Sequence, residues 1–164
     1  MVGAEPRSRR PRLLPSPALD HLAALSGLFA SAFLAATVLP GASEIVLVAI
    51  LAEGAADPVA AVLVAGIANT LGSITNWALG RFFLRYQDRR WFPVPKSGLD
   101  KAASIFNRWG VWSLLLAWWP LGGDALTVVA GLLKVPLLTF TLLVGFGKLV
   151  RYALVALATL GFIG

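Results

Sequence analysis

Four long stretches of this 164-residue chain are almost free of charge, and that distribution limits the fold more than any other feature. Between His21 and Ala52 the only charged residue is Glu44, and between Pro58 and Gly80 there is none. From Trp109 to Leu133 there is only Asp124, and from Val135 to the C-terminus only Lys148 and Arg151. The chain is 58% apolar and 13% charged, and one soluble core of this size cannot bury four such stretches. The solvent for most of the chain is therefore lipid, which demands helices that satisfy their own backbone groups.

The net charge of +6 does not indicate a nucleic-acid partner. The basic residues sit in the N-terminal tail (Arg7, Arg9, Arg10, Arg12) and in a central segment containing Arg81, Arg85, Arg89, Arg90, Lys96, Lys101 and Arg108. Arg and Lys flanking apolar spans are what anionic headgroups and cytoplasmic loops select. With no cysteine, disulfides, thiolate metal sites and a cysteine nucleophile are excluded. A cleaved signal peptide is not expected, because the apolar stretch runs on past Pro40 with no cleavage site leading to a polar mature chain. Residues 1–18 read as a disordered basic tail and 19–164 as a single membrane domain.

Within that domain, residues 22–52 would reach about 46 Å as one helix, against a hydrocarbon core of about 30 Å. Leu39-Pro40-Gly41 breaks the segment, and Ser43 and Glu44 are suited to cap a second, half-length piece over 44–53. Asp57-Pro58 then opens an uninterrupted helix to Gly80, long enough to cross. The second half repeats this order. A short apolar run (112–119) is broken at Pro120-Leu121-Gly122-Gly123, a half-length piece follows over 124–133, and Val135-Pro136 opens a full-length helix. Aligning Pro40 with Pro120 places Glu44 on Asp124. After a gap adjustment, Pro58 falls opposite Pro136 and Gly66-Ile67-Ala68-Asn69 opposite Gly145-Phe146-Gly147-Lys148. These pairings in order predict an internal repeat, with repeat one over about 22–84, a basic connector over about 85–110 and repeat two over about 111–163. In the connector, residues 96–110 read as an interfacial amphipathic helix with Leu99, Ala102, Phe106 and Trp109 on one face. Trp77, Trp91 and Trp112 read as headgroup-level belt residues, whereas Trp118 and Trp119 adjoin the second break.

Two topologies fit these residues. Each broken segment is either one kinked crossing, giving four spans with both basic regions on one side, or a re-entrant hairpin followed by a single crossing. The second option inverts one repeat relative to the other, as in secondary transporters.

Leu39-Pro40-Gly41-Ala42-Ser43-Glu44, followed by Gly66-Ile67-Ala68-Asn69-Thr70-Leu71-Gly72 and Trp77-Ala78-Leu79-Gly80-Arg81, resembles the DedA family of VTT (SNARE-associated) membrane proteins. Trp119-Pro120-Leu121-Gly122-Gly123-Asp124, with Ala130-Gly131 and Gly147-Lys148-Leu149-Val150-Arg151-Tyr152, resembles its short YqaA-like branch. The resemblance covers roughly residues 25–160. It implies the re-entrant architecture: an all-α integral membrane protein of two inverted repeats, each a proline-broken hairpin plus one full transmembrane helix. It also implies residence in the bacterial inner membrane and membrane transport, since relatives are linked to lipid scrambling and to flipping of a polyprenyl phosphate, with proton coupling proposed. Longer members carry arginines three residues before and after the second proline, where this chain has Ala117 and Gly123.

The residues expected to bind substrate or protons are Glu44, Asp124, Lys148, Arg151 and Asn69, with hairpin breaks at Pro40, Gly41, Pro120, Gly122 and Gly123. An ionisable group at membrane depth marks function by default, and desolvation favours the neutral form of a carboxyl group there. Against this stands capping of the half-helices with pairing to Lys148 or Arg151. Asn69 reads equally as an interhelical hydrogen bond, and His21 as an interfacial residue. Gly66, Gly72, Gly145 and Gly147 read as close-packing positions. Gly122-Gly123-Asp124 is close to an intramembrane aspartyl-protease motif, but Leu121 stands where that motif needs glycine, and no nucleophile, base or metal set is present. The expected partners are therefore membrane lipids, including an anionic headgroup, and protons or a small cation. Homo-oligomerisation is open, and neither a cofactor, a metal nor an enzymatic reaction is expected. The alternative is a structural or accessory inner-membrane protein that supports envelope integrity without a transport cycle.

Overall fold

The structure, a computed structural model, describes residues 17–37, 41–83, 96–119 and 122–163. Pro40, Pro120, Trp91 and residues 1–16 of the expected tail lie outside the described residues. All regular elements among the described residues are helical: α1 (Pro17–Ala35), α2 (Ala42–Ala52), α3 (Pro58–Phe83), α4 (Lys96–Trp109), a 3₁₀ helix (Gly110–Leu116), α5 (Gly123–Leu132) and α6 (Leu137–Ile163).

α3 begins where Asp57 supplies a side-chain cap, its Oδ1 accepting the Ala60 N–H at 2.8 Å. Along α3, large apolar residues recur every fourth position on the exposed face (Val59, Leu63, Ile67, Leu71), while the buried face carries Ala61, Ala65, Ala68, Asn69, Ser73 and Asn76. Small and polar inside with large and apolar outside is the pattern of a helix packed in lipid, where hydrophobicity does not drive helices together. Three helices are long and apolar enough to cross a membrane: Ala18–Ala35, Pro58–Phe82 and Leu137–Phe162. α1 thus has spanning length, about 28 Å, rather than being only the short arm of a hairpin. It starts at Pro17, inside the expected tail. α2 and α5, at about 15 Å each, are half-length as expected.

Packing is reciprocal between the two halves. α1 lies on α3 as the 3₁₀ helix lies on α6, α2 packs against α6 as α5 packs against α3, and α3 and α6 cross each other. The turns that follow the half-helices are the same turn, hydrogen bond for hydrogen bond, 80 residues apart. After α2, Gly54 N–H donates to Leu51 O and Ala55 N–H to Ile50 O; after α5, Lys134 N–H donates to Gly131 O and Val135 N–H to Ala130 O, all at 3.0–3.2 Å. Both are Schellman caps, which require a left-handed residue. Gly54 (φ 62°) meets that requirement freely, whereas Lys134 (φ 60°) meets it under strain.

The α3–α5 crossing is backbone against backbone. A Cβ on Gly80 would overlap the Val128 carbonyl, and one on Gly131 would overlap the Trp77 carbonyl. Of the glycines assigned to close packing, Gly66, Gly72 and Gly147 meet α6, α1 and the 3₁₀ segment closely, while Gly145 has only ordinary contacts.

The first arm of the second half, the short apolar run before the break, is a 3₁₀ helix that starts at Gly110 (φ 58°). α4 is not simply a surface helix, because Leu99 and Ala102 are buried against Ala125, Leu126, Val128 and Val129 of α5. Trp109, expected on that face, is exposed, since α4 ends there. Trp77, expected at headgroup level, is half-buried: its Nε1 donates to Val135 O at 3.1 Å and its ring packs 6.3 Å from Phe140. It thereby ties α3 to the start of α6.

Candidate functional site

One turn of α6 presents Lys148, Arg151 and Tyr152 on a single face, since residues three and four apart are neighbours on a helix. α2 supplies Ser43 and Glu44 from its first turn, α5 supplies Asp124 from its first turn, and α3 supplies Asn69. Apart from Tyr152, which lies behind them, these side chains, with Ala35, Gly41, Ala117, Trp118 and Trp119, line a single pocket. Its volume is about 10 Å³, room for about one water molecule. All five residues expected to bind substrate or protons therefore converge, although they come from four separate helices.

The pocket is wired by a directed hydrogen-bond chain. An ammonium group only donates, so the buried Lys148, 3% exposed, donates to Asn69 Oδ1. The Asn69 amide then donates through Nδ2 to Tyr152 Oη at 2.9 Å. Ser43 donates its one hydroxyl proton to Glu44 Oε2 at 3.3 Å, which leaves the Tyr152 hydroxyl as the donor to Ser43 Oγ at 2.7 Å. Glu44 Oε1 faces Arg151 Nη2 at 2.6 Å, and Arg151 Nη1 donates to the Trp118 carbonyl at 2.9 Å. Asp124 lines the same pocket but makes no hydrogen bond or ion pair through its carboxylate among the described residues.

The capping expectation is corrected. α2 is capped by Gly41 in the left-handed conformation (φ 94°), with no side-chain cap hydrogen bond, and α5 is preceded by Gly122, also without a side-chain cap. Ser43 lies inside α2 and points to Tyr152 instead. Gly41 owes its identity to its φ. Gly123 owes its identity to space: a Cβ there would overlap the Ala117 carbonyl. The two positions where longer DedA members carry arginine are thus pressed together here, and the positive charge in the pocket comes from α6. Asn69 fulfils both readings given to it, bonding across helices and lining the pocket. Tyr152, 1% exposed, was missed as a site residue. The available signal was a phenol one turn after Lys148 in an apolar span, since a buried tyrosine hydroxyl needs a partner.

An all-helical bundle with three apolar helices of spanning length, large apolar side chains outward and a charged pocket within defines a polytopic membrane protein. The VTT domain matches residues 39–160, and the chain belongs to that family, the DedA family. It is 44% identical over 144 residues to the inner membrane protein YqaA of Escherichia coli (strain K12), covering 86% of this chain and 94% of that protein. YqaA of Shigella flexneri gives the same identity and coverage. An uncharacterized protein of Haemophilus influenzae is 37% identical over 140 residues, covering 80% of this chain and 85% of that protein. No solved structure matches the chain. The protein is an integral protein of the inner membrane.

Proposed function

We propose that this chain is a small membrane transporter or lipid translocase built from two inverted repeats, each a re-entrant hairpin plus one crossing, and that it moves an anionic headgroup with a proton. The observation that carries this reading is the convergence of Glu44, Asp124, Asn69, Lys148 and Arg151 from both halves on one pocket. The reciprocal packing and the duplicated turns support the repeat. Its axis passes near the pocket: Asn69 is the twelfth residue of α3 and Lys148 the twelfth of α6, and these equivalent residues touch. A pocket partway along two spanning helices, with the first turns of both half-helices lining it, matches the plan of secondary transporters. Two of the charges, Glu44 and Arg151, are held by each other.

The decisive experiment reconstitutes the protein in vesicles carrying a fluorescent phosphatidylglycerol or a fluorescent phosphatidylcholine. The extent to which an impermeant reductant quenches each probe is then followed. The expected result is faster exposure of the anionic probe than in protein-free vesicles, lost in Glu44→Gln and Asp124→Asn. Single cysteines introduced as Ser16→Cys and Ser97→Cys are expected to label from opposite sides, and labelling from the same side would rule out the inverted plan.

A second reading is favoured by one observation. Lys148 and Arg151 already have protein partners, so the network also suits an accessory protein whose charges only pack helices. Translocation no faster than in protein-free vesicles would select that reading.

A further inference from the structure

Glu44 and Asp124 are equivalent by the 80-residue offset and line the same pocket, yet their surroundings differ. Glu44 is ion-paired through Oε1 to Arg151 at 2.6 Å and accepts a hydrogen bond at Oε2 from Ser43 at 3.3 Å. Arg151 is held in turn by the Trp118 carbonyl. Asp124 has no donor among the described residues. The groups that face it are Lys148 and Arg151 from α6, Glu44 from α2, the neutral Asn69 from α3, and Trp118 and Trp119 after the 3₁₀ helix. α4 packs on α5 through the apolar Leu99 and Ala102.

A carboxylate taken from water without a hydrogen-bond donor is penalised, and a proton removes the penalty. A carboxylate held by a guanidinium is in the opposite position, because protonation would leave a partly buried Arg without its counter-ion. We infer that the two carboxylates do different work: Asp124 takes up and releases the proton, while Glu44 stays ionised and anchors Arg151. The proton passes from water at the open side of the pocket to an Asp124 carboxylate oxygen, giving the neutral acid, and no other bond changes. Before this step Lys148 and Arg151 are balanced by Glu44 and Asp124; after it the pocket carries one net positive charge. Lys148 is then the cation left without a counter-ion, and the pocket, which must widen beyond its one-water volume to do so, takes one monoanionic group such as a phosphodiester for each proton.

This assignment rests on the pocket being the transport site, but its test needs no transport. Infrared difference spectra of the purified full-length protein in lipid nanodiscs, titrated between roughly pH 4 and pH 8, read protonated carboxyl groups directly. Exposed Asp and Glu are common to all variants and cancel. Subtracting Asp124→Asn from wild type is expected to reveal one titrating carboxylic-acid band, and subtracting Glu44→Gln to reveal none. Asp124→Glu is expected to move the band to the glutamic-acid position, and this variant decides the matter should Asp124→Asn fail to fold. A band that survives in Asp124→Asn, stays unmoved in Asp124→Glu or vanishes in Glu44→Gln overturns the assignment. Loss of the band in Asp124→Asn together with no translocation in vesicles would refute the transport reading and leave the assignment intact.

Discussion

Replacing Tyr152 with Phe removes one oxygen atom and leaves the shape of the side chain unchanged. That oxygen is buried, accepts from Asn69 Nδ2 at 2.9 Å and donates to Ser43 Oγ at 2.7 Å. Interhelical hydrogen bonds in membrane proteins average about 0.6 kcal/mol, with a ceiling near 1.7. Two of them predict a loss of about 1.2 kcal/mol and at most about 3.4 kcal/mol. Tyr152 ties α6 to both α2 and α3, so the loss should appear as a lower midpoint of reversible unfolding in mixed micelles titrated with SDS. A double-mutant cycle with Ser43→Ala isolates one bond, and its coupling energy is expected at about 0.6 kcal/mol. A Tyr152→Phe loss below about 0.3 kcal/mol, or additivity in the cycle, would refute the directed chain from Lys148 to Glu44.

At the α3–α5 crossing, Gly80→Ala and Gly131→Ala each drive a methyl group into a backbone carbonyl and are expected to destabilise by about 1–3 kcal/mol or more. Gly161→Ala, with nothing within 4 Å, serves as the neutral control in the same unfolding titration. Lys134→Gly relieves a left-handed lysine and should gain about 0.5 kcal/mol net of glycine's backbone entropy, while Gly54→Ala at the equivalent turn should lose about 1–2 kcal/mol. Arg151→Lys keeps the charge but loses the fork that reaches both Glu44 and the Trp118 carbonyl; vesicle translocation is expected to fall toward the protein-free rate.

Much of the site was legible before folding because the relevant signals are strong and local. A charge in an apolar run is conspicuous, so Glu44, Asp124, Lys148 and Arg151 stood out individually. The 80-residue offset then paired the two carboxylates without any structural knowledge. Tyr152 and Ser43 were not legible as a pair, because a hydroxyl in a helix gives no hint of a partner 109 positions away. Ser43 in particular sits where a capping serine belongs, and the cap went to Gly41 because its backbone adopts φ 94°. The partner of Trp77 was hidden for a related reason: nothing in the sequence links its indole to the Val135 carbonyl, 58 positions away.

The sequence by itself determined the class of protein and the alternation of half-length and spanning helices. Lipid as solvent and the backbone limits of proline and glycine act over a few residues and leave local marks. Only the tertiary structure decided which faces turn inward, since helices that are apolar all round carry little periodic signal. It also decided that Gly80 and Gly131 must be glycine and that the two carboxylates meet unequal surroundings. Arg151 and Ser43 reach Glu44 while no donor among the described residues reaches Asp124, and that difference arises only when α2, α5 and α6 are brought together in space.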